Sequence, residues 1–293
     1  MKEFKGIFSI MATPFREDGQ VDEKSVRSLV EFTIEKGVHG ITILGILGEA
    51  HKLTESEREH IIEVVVDQVA GRIPVIVGTS ASGTDVAIYY SKRAVELGAD
   101  GIMVAPPTNV KNLNAVYEYF RRISAAVDVP IVVQDEPNFS GVLMPAEFLA
   151  KVCNELSNCK AIKLEEAPTP HKLSLTKKLL TDAGIFGGNG GVYFYEEMVR
   201  GAAGTMTGFA FPEILVDMYS HFVNGNREMA REISYKAAPL FRYEGQPGIG
   251  LAIRKEILKR RGAIANSSLR HPGPVLDQAH VDEIDDLLRI FGV

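Results

Sequence analysis

Val129-Pro130-Ile131-Val132-Val133-Gln134-Asp135-Glu136-Pro137, followed one amphipathic helix later by Lys160-Ala161-Ile162-Lys163-Leu164-Glu165, reads as two buried strands that each end in polar groups. Ile131 to Val133 is an unbroken β-branched run without alternation, as in a parallel strand covered on both faces, and it stops abruptly in Gln134-Asp135-Glu136-Pro137. In the second stretch a period of two places Ala161, Lys163 and Glu165 on one face and Ile162 and Leu164 on the other. If Ile162 and Leu164 meet a layer of helices, Lys163 points into a barrel or crevice. A lysine forced inside loses the hydration of its charged form, which favours the free amine, a nucleophile toward a carbonyl. The plain alternative is a surface strand whose lysine lies in water, although Lys is rarely buried unless paired or functional.

Outward from these two strands the same unit repeats. Strands are expected over Ile7 to Thr13, Gly40 to Gly45, Pro74 to Ser80, Gly101 to Pro106, Pro130 to Glu136, Lys160 to Glu165, Ile185 to Asn189 and Gly204 to Gly208. Helical spacing fills the intervals, and Thr54-Glu55-Ser56-Glu57 has the form of a capping box. Eight strands alternating with helices predict an α/β fold of the (β/α)8 TIM barrel type rather than an open sheet. After Gly208 the alternation stops. Pro212 to Val223, Asn226 to Phe241, Gly248 to Arg261 and Ala279 to Phe291 are helical patterns with no strand between them. The expected organisation is a barrel over 1–210 and a C-terminal helical extension over 211–293, packed on the barrel because no linker composition separates them.

A chain of 293 residues accommodates one such barrel of about 250 residues with an appendage. Hydrophobic residues at 45% and charged ones at 24% allow a sizeable core, and no apolar run of about 18 residues suggests a membrane span. The first residues, Met1-Lys2-Glu3-Phe4-Lys5-Gly6, lead straight toward a strand without a secretory apolar segment, so a cytoplasmic protein is expected. Cys153 and Cys159 are too few for a disulfide framework or a thiolate metal site and read as buried free thiols. A formal charge of -6 gives no electrostatic reason for a nucleic-acid or anionic-membrane partner. The cluster Arg254-Lys255 with Lys259-Arg260-Arg261 reads as a solvated helix face.

In this architecture active sites lie at the carboxyl ends of the strands. Gly45-Ile46-Leu47-Gly48-Glu49 follows the second strand and can aim consecutive backbone N–H groups at a carboxylate, although two glycines around a turn are commonly structural. Gly187-Gly188-Asn189-Gly190-Gly191, after the seventh strand, has the composition of a phosphate cradle but no Lys or Arg beside it. The seven histidines are scattered, none pairs with another at short spacing, and neither a metal nor a cofactor is implied. His51, His60 and His271 read as surface or hydrogen-bonded residues. Gln134 shares its strand-end mouth with Lys163; an amide exchanges no protons, so it would act by positioning a substrate hydroxyl or a water.

Taken together, Gly45-x-x-Gly48-Glu49, the fifth strand ending before Pro137 and Ser140-Gly141, and Ile162-Lys163 on the sixth strand resemble the dihydrodipicolinate synthase / N-acetylneuraminate lyase family over essentially the whole chain. The resemblance implies that Lys163 forms a Schiff base with the keto carbon of pyruvate or another 2-keto acid. It implies that Gly45, Gly48 and Glu49 shape a turn whose Ile46 and Leu47 amides bind the keto-acid carboxylate, and that Met206 lines the same pocket. Asn189 and Glu136 are expected at the substrate from their strand ends. The departures concern specificity. Ile46-Leu47 stand where the family usually has hydroxyl residues, Gln134 where it has a general acid/base tyrosine, Thr108 where the synthase has a second tyrosine from a neighbouring subunit, and Phe139 where it has an arginine for the semialdehyde carboxylate. Val133-Gln134-Asp135-Glu136-Pro137 with Ser140-Gly141, Gly204-Thr205-Met206-Thr207-Gly208 and Arg270-His271-Pro272 are more similar to the L-2-keto-3-deoxyarabonate dehydratase branch.

The chemistry so implied is a Schiff-base lyase that dehydrates a 2-keto-3-deoxy sugar acid: the iminium at Lys163 acidifies C3, and the C4 hydroxyl leaves. An aldolase would deprotonate the C4 hydroxyl instead, a step suited to a phenol more than to an amide. Glu136, Asp135, Glu165 and a water held by Gln134 are the candidates for the proton shuttle, with structural ion pairing expected for at least two of those carboxylates. The alternatives are a pyruvate-dependent aldolase, a dihydrodipicolinate-type synthase and a non-catalytic 2-keto-acid-binding barrel. The family resemblance also implies a homotetramer, with the helical tail and Tyr117-Glu118-Tyr119 as expected contact surfaces.

Overall fold

The computed structural model describes residues 4–108 and 110–292. The reading of a leaderless start therefore lies outside the described residues where it rests on Met1 to Glu3. Eight parallel strands close into a barrel in chain order: β1 (Gly6–Ile10), β2 (Gly40–Ile43), β3 (Val75–Gly78), β4 (Gly101–Val104), β5 (Ile131–Asp135), β6 (Cys159–Leu164), β7 (Gly184–Gly187) and β8 (Gly204–Thr207). β1 pairs with both β2 and β8, so no strand edge is left open. Between them run α1 (Glu23–Glu35), α2 (Glu55–Val69), α3 (Thr84–Glu96), α4 (Leu113–Ser124), α5 (Pro137–Ser140), α6 (Ala146–Glu155), α7 (Thr169–Leu179) and α8 (Phe194–Val199). The tail is α9 (Pro212–Val223), α10 (Arg227–Glu244), α11 (Gly250–Arg260) and α12 (Gln278–Phe291).

Strand alternation divides the core into two. Phe8, Ile76, Met103, Val132, Ala161, Phe186 and Met206 fill the barrel interior, with Phe8 and Phe186 edge to face at 5.7 Å. Ile162 and Leu164 belong to the larger cluster between strands and helices. Lys163, between them in sequence, is thereby turned inward, and it is 4% exposed.

Local chemistry explains most element ends. The Thr54 hydroxyl accepts the Glu57 N–H at 3.3 Å while the Glu57 carboxylate accepts the Thr54 N–H at 2.9 Å, completing the capping box of α2. The strands are shorter at their carboxyl ends than the apolar runs suggest. Leu44 already has φ 56° and turns the chain out of β2 before Gly45. α5 was not expected, yet it carries its own signals: the Glu136 carboxylate caps the Phe139 N–H, Pro137 opens the helix, and Gly141 closes it at φ 64°.

Burial corrects two further expectations. Arg254 and Lys255 are not on a solvated face: Arg254 pairs with Glu244, and Lys255 is fully buried against Glu49 at 2.6 Å. Tyr119 is buried, its hydroxyl donating to the Ala81 carbonyl at 3.0 Å, so it is not a surface residue of α4. Cys153 and Cys159 are free and buried, and burial pushes the Cys159 thiol up to about 12. No helix among the described residues is long and apolar enough to cross a membrane.

Candidate active site

The parallel register puts Gln134 of β5 beside Lys163 of β6, on adjacent strands at the barrel mouth. Glu165, the first residue beyond β6, continues the inward alternation and is 7% exposed. Its carboxylate joins three of the neighbouring groups. Oε2 lies 2.6 Å from the Lys163 ammonium and accepts the Gln134 side-chain N–H at 3.1 Å. Oε1 accepts the backbone N–H of Asn189 at 3.2 Å, and the Asn189 side-chain amide donates to the Glu165 carbonyl at 3.1 Å. A buried amine, a carboxylate within proton-transfer distance and an orienting amide thus meet at one point.

The glycine-rich loop after β7 makes room for this group. A Cβ on Gly188 would lie 2.4 Å from the Glu165 carboxylate, and one on Gly187 would lie 1.7 Å from Oε2 of Glu197. Glu197, on α8, is buried behind the strand wall; its Oε1 accepts the Thr169 hydroxyl at 2.6 Å and its Oε2 has no hydrogen-bond partner. Burial pushes this carboxyl up to about 7. The loop is therefore packed against two carboxylates, which opposes the phosphate that its composition suggested.

The other carboxylates near the mouth are engaged elsewhere. Asp135 alternates outward from Gln134 and pairs with Lys172 of α7 at 2.6 Å; burial raises its pKa to about 6. Glu136 caps α5. Glu49 is buried at the end of the turn after β2, where it pairs with Lys255 at 2.6 Å and Lys52 at 2.9 Å and accepts the Arg270 N–H at 3.1 Å. The turn is held from its other side by the Thr13 hydroxyl, which donates to the Gly48 carbonyl at 2.6 Å.

A cavity of about 300 Å³ opens on the β2–β5 side of the mouth, with Gly45, Ile46, Met103 and Gln134 in its wall. Gln134 is the residue it shares with the Lys163–Glu165 group. Leu47 packs toward Gly208 and Gly48 toward Met11 and Thr13. Met206 lies in the barrel interior beneath the mouth, and Thr108 is exposed, its carbonyl accepting from Lys111. Of the expected residues the fold thus gathers Lys163, Gln134 and Asn189 around Glu165, and Gly45 and Ile46 around the cavity. Glu165 was legible only as one of several acids until tertiary packing separated it from Asp135 and Glu136. Arg58 and Tyr90, which also line the cavity, carry no local sequence signal. Among the described residues no group of His, Cys, Asp and Glu is arranged to hold a metal ion.

The family model of the dihydrodipicolinate synthetase family matches residues 3–290. An L-2-keto-3-deoxyarabonate dehydratase from Azospirillum brasilense is 32% identical over 98% of this chain and 93% of its own. A 4-hydroxy-tetrahydrodipicolinate synthase from Pelobacter propionicus is 35% identical over 78% of this chain and 79% of its own. The crystal structure of a dihydrodipicolinate synthase from Rhodopseudomonas palustris superposes with a TM-score of 0.93 at 36% identity, covering 98% of this chain and 97% of that one.

Proposed function

The chain belongs to the dihydrodipicolinate synthetase family, and from that premise we propose that it is a class I, Schiff-base-forming lyase that dehydrates a 2-keto-3-deoxy sugar acid such as L-2-keto-3-deoxyarabonate. The observation that carries the reading is the buried group Lys163–Glu165–Gln134, in which the amine is paired with a carboxylate able to take its proton. Glu165 accepts the ammonium proton of Lys163, and the free amine adds to C2 of the keto acid. Loss of that oxygen as water leaves an iminium. Glu165 then removes a C3 proton, the electron pair flows into the iminium nitrogen to give an enamine, and its return expels the C4 hydroxyl as water with the proton that Glu165 holds. Hydrolysis of the unsaturated iminium restores Lys163. Gln134 holds the carboxylate through its N–H and offers its carbonyl to a substrate hydroxyl. The keto-acid carboxylate is received by the backbone amides of the Gly45 to Gly48 turn.

The similarity to the dehydratase of Azospirillum brasilense supports this assignment. Relatives named as 4-hydroxy-tetrahydrodipicolinate synthases favour a second reading, with pyruvate as the Schiff-base partner of a condensation. Reduction by borohydride in the presence of pyruvate or of L-2-keto-3-deoxyarabonate, followed by intact-mass analysis, tests both. The dehydratase reading expects an adduct with each ligand, the sugar-acid adduct lighter by one water, and neither adduct in Lys163→Ala. A sugar-acid adduct at full mass with release of pyruvate would make the protein an aldolase. No adduct with either ligand would sink the Schiff-base assignment.

A further inference from the structure

Behind the wall that carries Glu165 lies a second buried carboxyl, to which the chemistry above gives no part. Gly187 and Gly188 are consecutive in the chain and face opposite sides of the barrel wall. A Cβ on Gly188 would strike the Glu165 carboxylate, and one on Gly187 would strike the carboxyl of Glu197. The two acids therefore sit back to back with one dipeptide of backbone between them. Glu197 is 1% exposed, and the Thr169 hydroxyl satisfies only its Oε1. Its Oε2 has no hydrogen-bond partner, and neither has the hydroxyl of Thr205, which turns outward from β8 at the position paired with Gly187.

The charges around Glu197 do not neutralise it. Glu165 and Glu196 act on it, and both are of its own sign. β7 and β8 carry no titratable residue. On α7, Lys172 is engaged by Asp135 and Glu166, and Lys177 donates to the Gly201 carbonyl at the outer end of the contact with α8. Arg200, just beyond α8, donates to the Ser174 hydroxyl. On α10, which packs on α8, the pairs Arg231–Glu228 and Lys236–Glu232 are exposed and Glu244 is held by Arg254. A carboxyl buried in this way keeps its proton up to near-neutral pH.

We propose that Glu197 is a positioning residue for the reaction: lying back to back with Glu165 across Gly187-Gly188, it sets how tightly the Lys163–Glu165 pair holds its proton. The proposal rests on the Schiff-base reading, in which that pair gives up a proton to free the amine and later returns one to the leaving hydroxyl. While Glu197 is neutral, the pair feels only its dipole. Once Glu197 has lost its proton to solvent, a second negative charge stands behind Glu165. A like charge raises the proton affinity of its neighbour, so the pair then keeps its last proton to higher pH. Glu197 touches neither the substrate nor the amine and acts only through Glu165.

The test is the pH profile of Schiff-base capture, read as the second-order rate of pyruvate trapping by cyanoborohydride in wild type, Glu197→Gln and Thr169→Val. Glutamine keeps the shape of the side chain and is neutral at every pH. The limb of the profile on the acid side is expected to coincide in wild type and E197Q, because Glu197 is neutral there in both. The limb on the alkaline side is expected to lie about half a pH unit or more lower in E197Q, whichever way the rate runs along it. A change of amplitude with both limbs in place, or an equal shift of both, is what a packing role gives and overturns the proposal. T169V removes the hydroxyl that stabilises the ionised carboxyl, so Glu197 stays neutral to higher pH and the alkaline limb moves the same way by less; this variant decides if E197Q does not fold. The wild type supplies a further reading. Its infrared spectrum is expected to lose a protonated-carboxyl C=O band as pH rises through about 7, and pyruvate trapping must move the pH of that loss because the coupling is reciprocal. A band that trapping leaves unmoved overturns the proposal as well. A trapped wild type with unmoved limbs removes only the role of Glu197, whereas an untrapped one removes the Schiff-base reading and this proposal with it.

Discussion

Glu165 is the residue on which the proposed chemistry turns, because one oxygen serves both Lys163 at 2.6 Å and Gln134 at 3.1 Å. Glu165→Gln keeps the shape and removes the proton acceptor, so kcat with the sugar acid is expected to fall by about 10²- to 10⁴-fold, the usual contribution of general acid–base catalysis. A variant within threefold of wild type in a steady-state dehydration assay would assign the proton transfers to another group. Glu197, one layer behind, tests a different property. Its carboxyl is raised from 4.5 to about 7 by burial. Below pH 4.5 it is protonated in both folded and unfolded chains; between there and about 7 only the folded chain keeps the proton. Stability therefore declines as pH rises through that window, by on the order of 2–3 kcal/mol from this group. Urea unfolding at a series of pH values should show that decline flattened in Glu197→Gln. Asp135, raised by burial to about 6, works in the same direction at lower pH and is common to both proteins, so the difference between them isolates Glu197.

The element that most depends on distant sequence is the turn after β2. Its amides come from residues 45–48, but its conformation is held by Thr13 from the end of β1 and, through Glu49, by Lys255 of α11 and the Arg270 backbone. Glu49 itself sits at φ 53°, a conformation that costs energy for a residue with a Cβ and persists where the surroundings enforce it. Lys255→Met leaves the Glu49 carboxylate buried with one cationic partner fewer, and removing one member of a buried pair costs about 3–5 kcal/mol. The expected kinetic signature is a raised KM for pyruvate trapping, with the rate at saturation falling less than KM rises. Equal loss in both would mean that the turn is not what Lys255 supports. This pairing also explains why the basic run in α11 misleads as sequence: Arg254 and Lys255 lie on the inward side, and only Lys259 is well exposed.

At the scale of the whole molecule, barrel and tail share their interior. Glu244 of α10 accepts the Ala210 N–H at 2.9 Å and pairs with Arg254, Arg261 pairs with Glu213, and α9 packs on β1. A chain ending at residue 210 would keep all eight strands yet strip Glu49 of Lys255 and of the Arg270 N–H and leave the apolar face under α9 uncovered. Near-UV circular dichroism and urea unfolding of such a truncation should show loss of fixed tertiary packing and of a cooperative transition; an independently cooperative barrel would contradict this. The sequence by itself determined the alternation of eight apolar runs with helices, the two-faced pattern of β6, the helical tail and the capping box at Thr54, because each is written in local periodicity and capping chemistry. It also carried the motif by which the family is recognised. Only the tertiary structure decided which of Asp135, Glu136 and Glu165 meets Lys163, on which side of β6 that lysine lies, that the glycine-rich loop surrounds carboxylates, and that Glu49 faces the tail. Those are outcomes of side chains converging from elements far apart in the chain, and the free energy of a buried charge depends on which partner arrives there rather than on its neighbours in sequence.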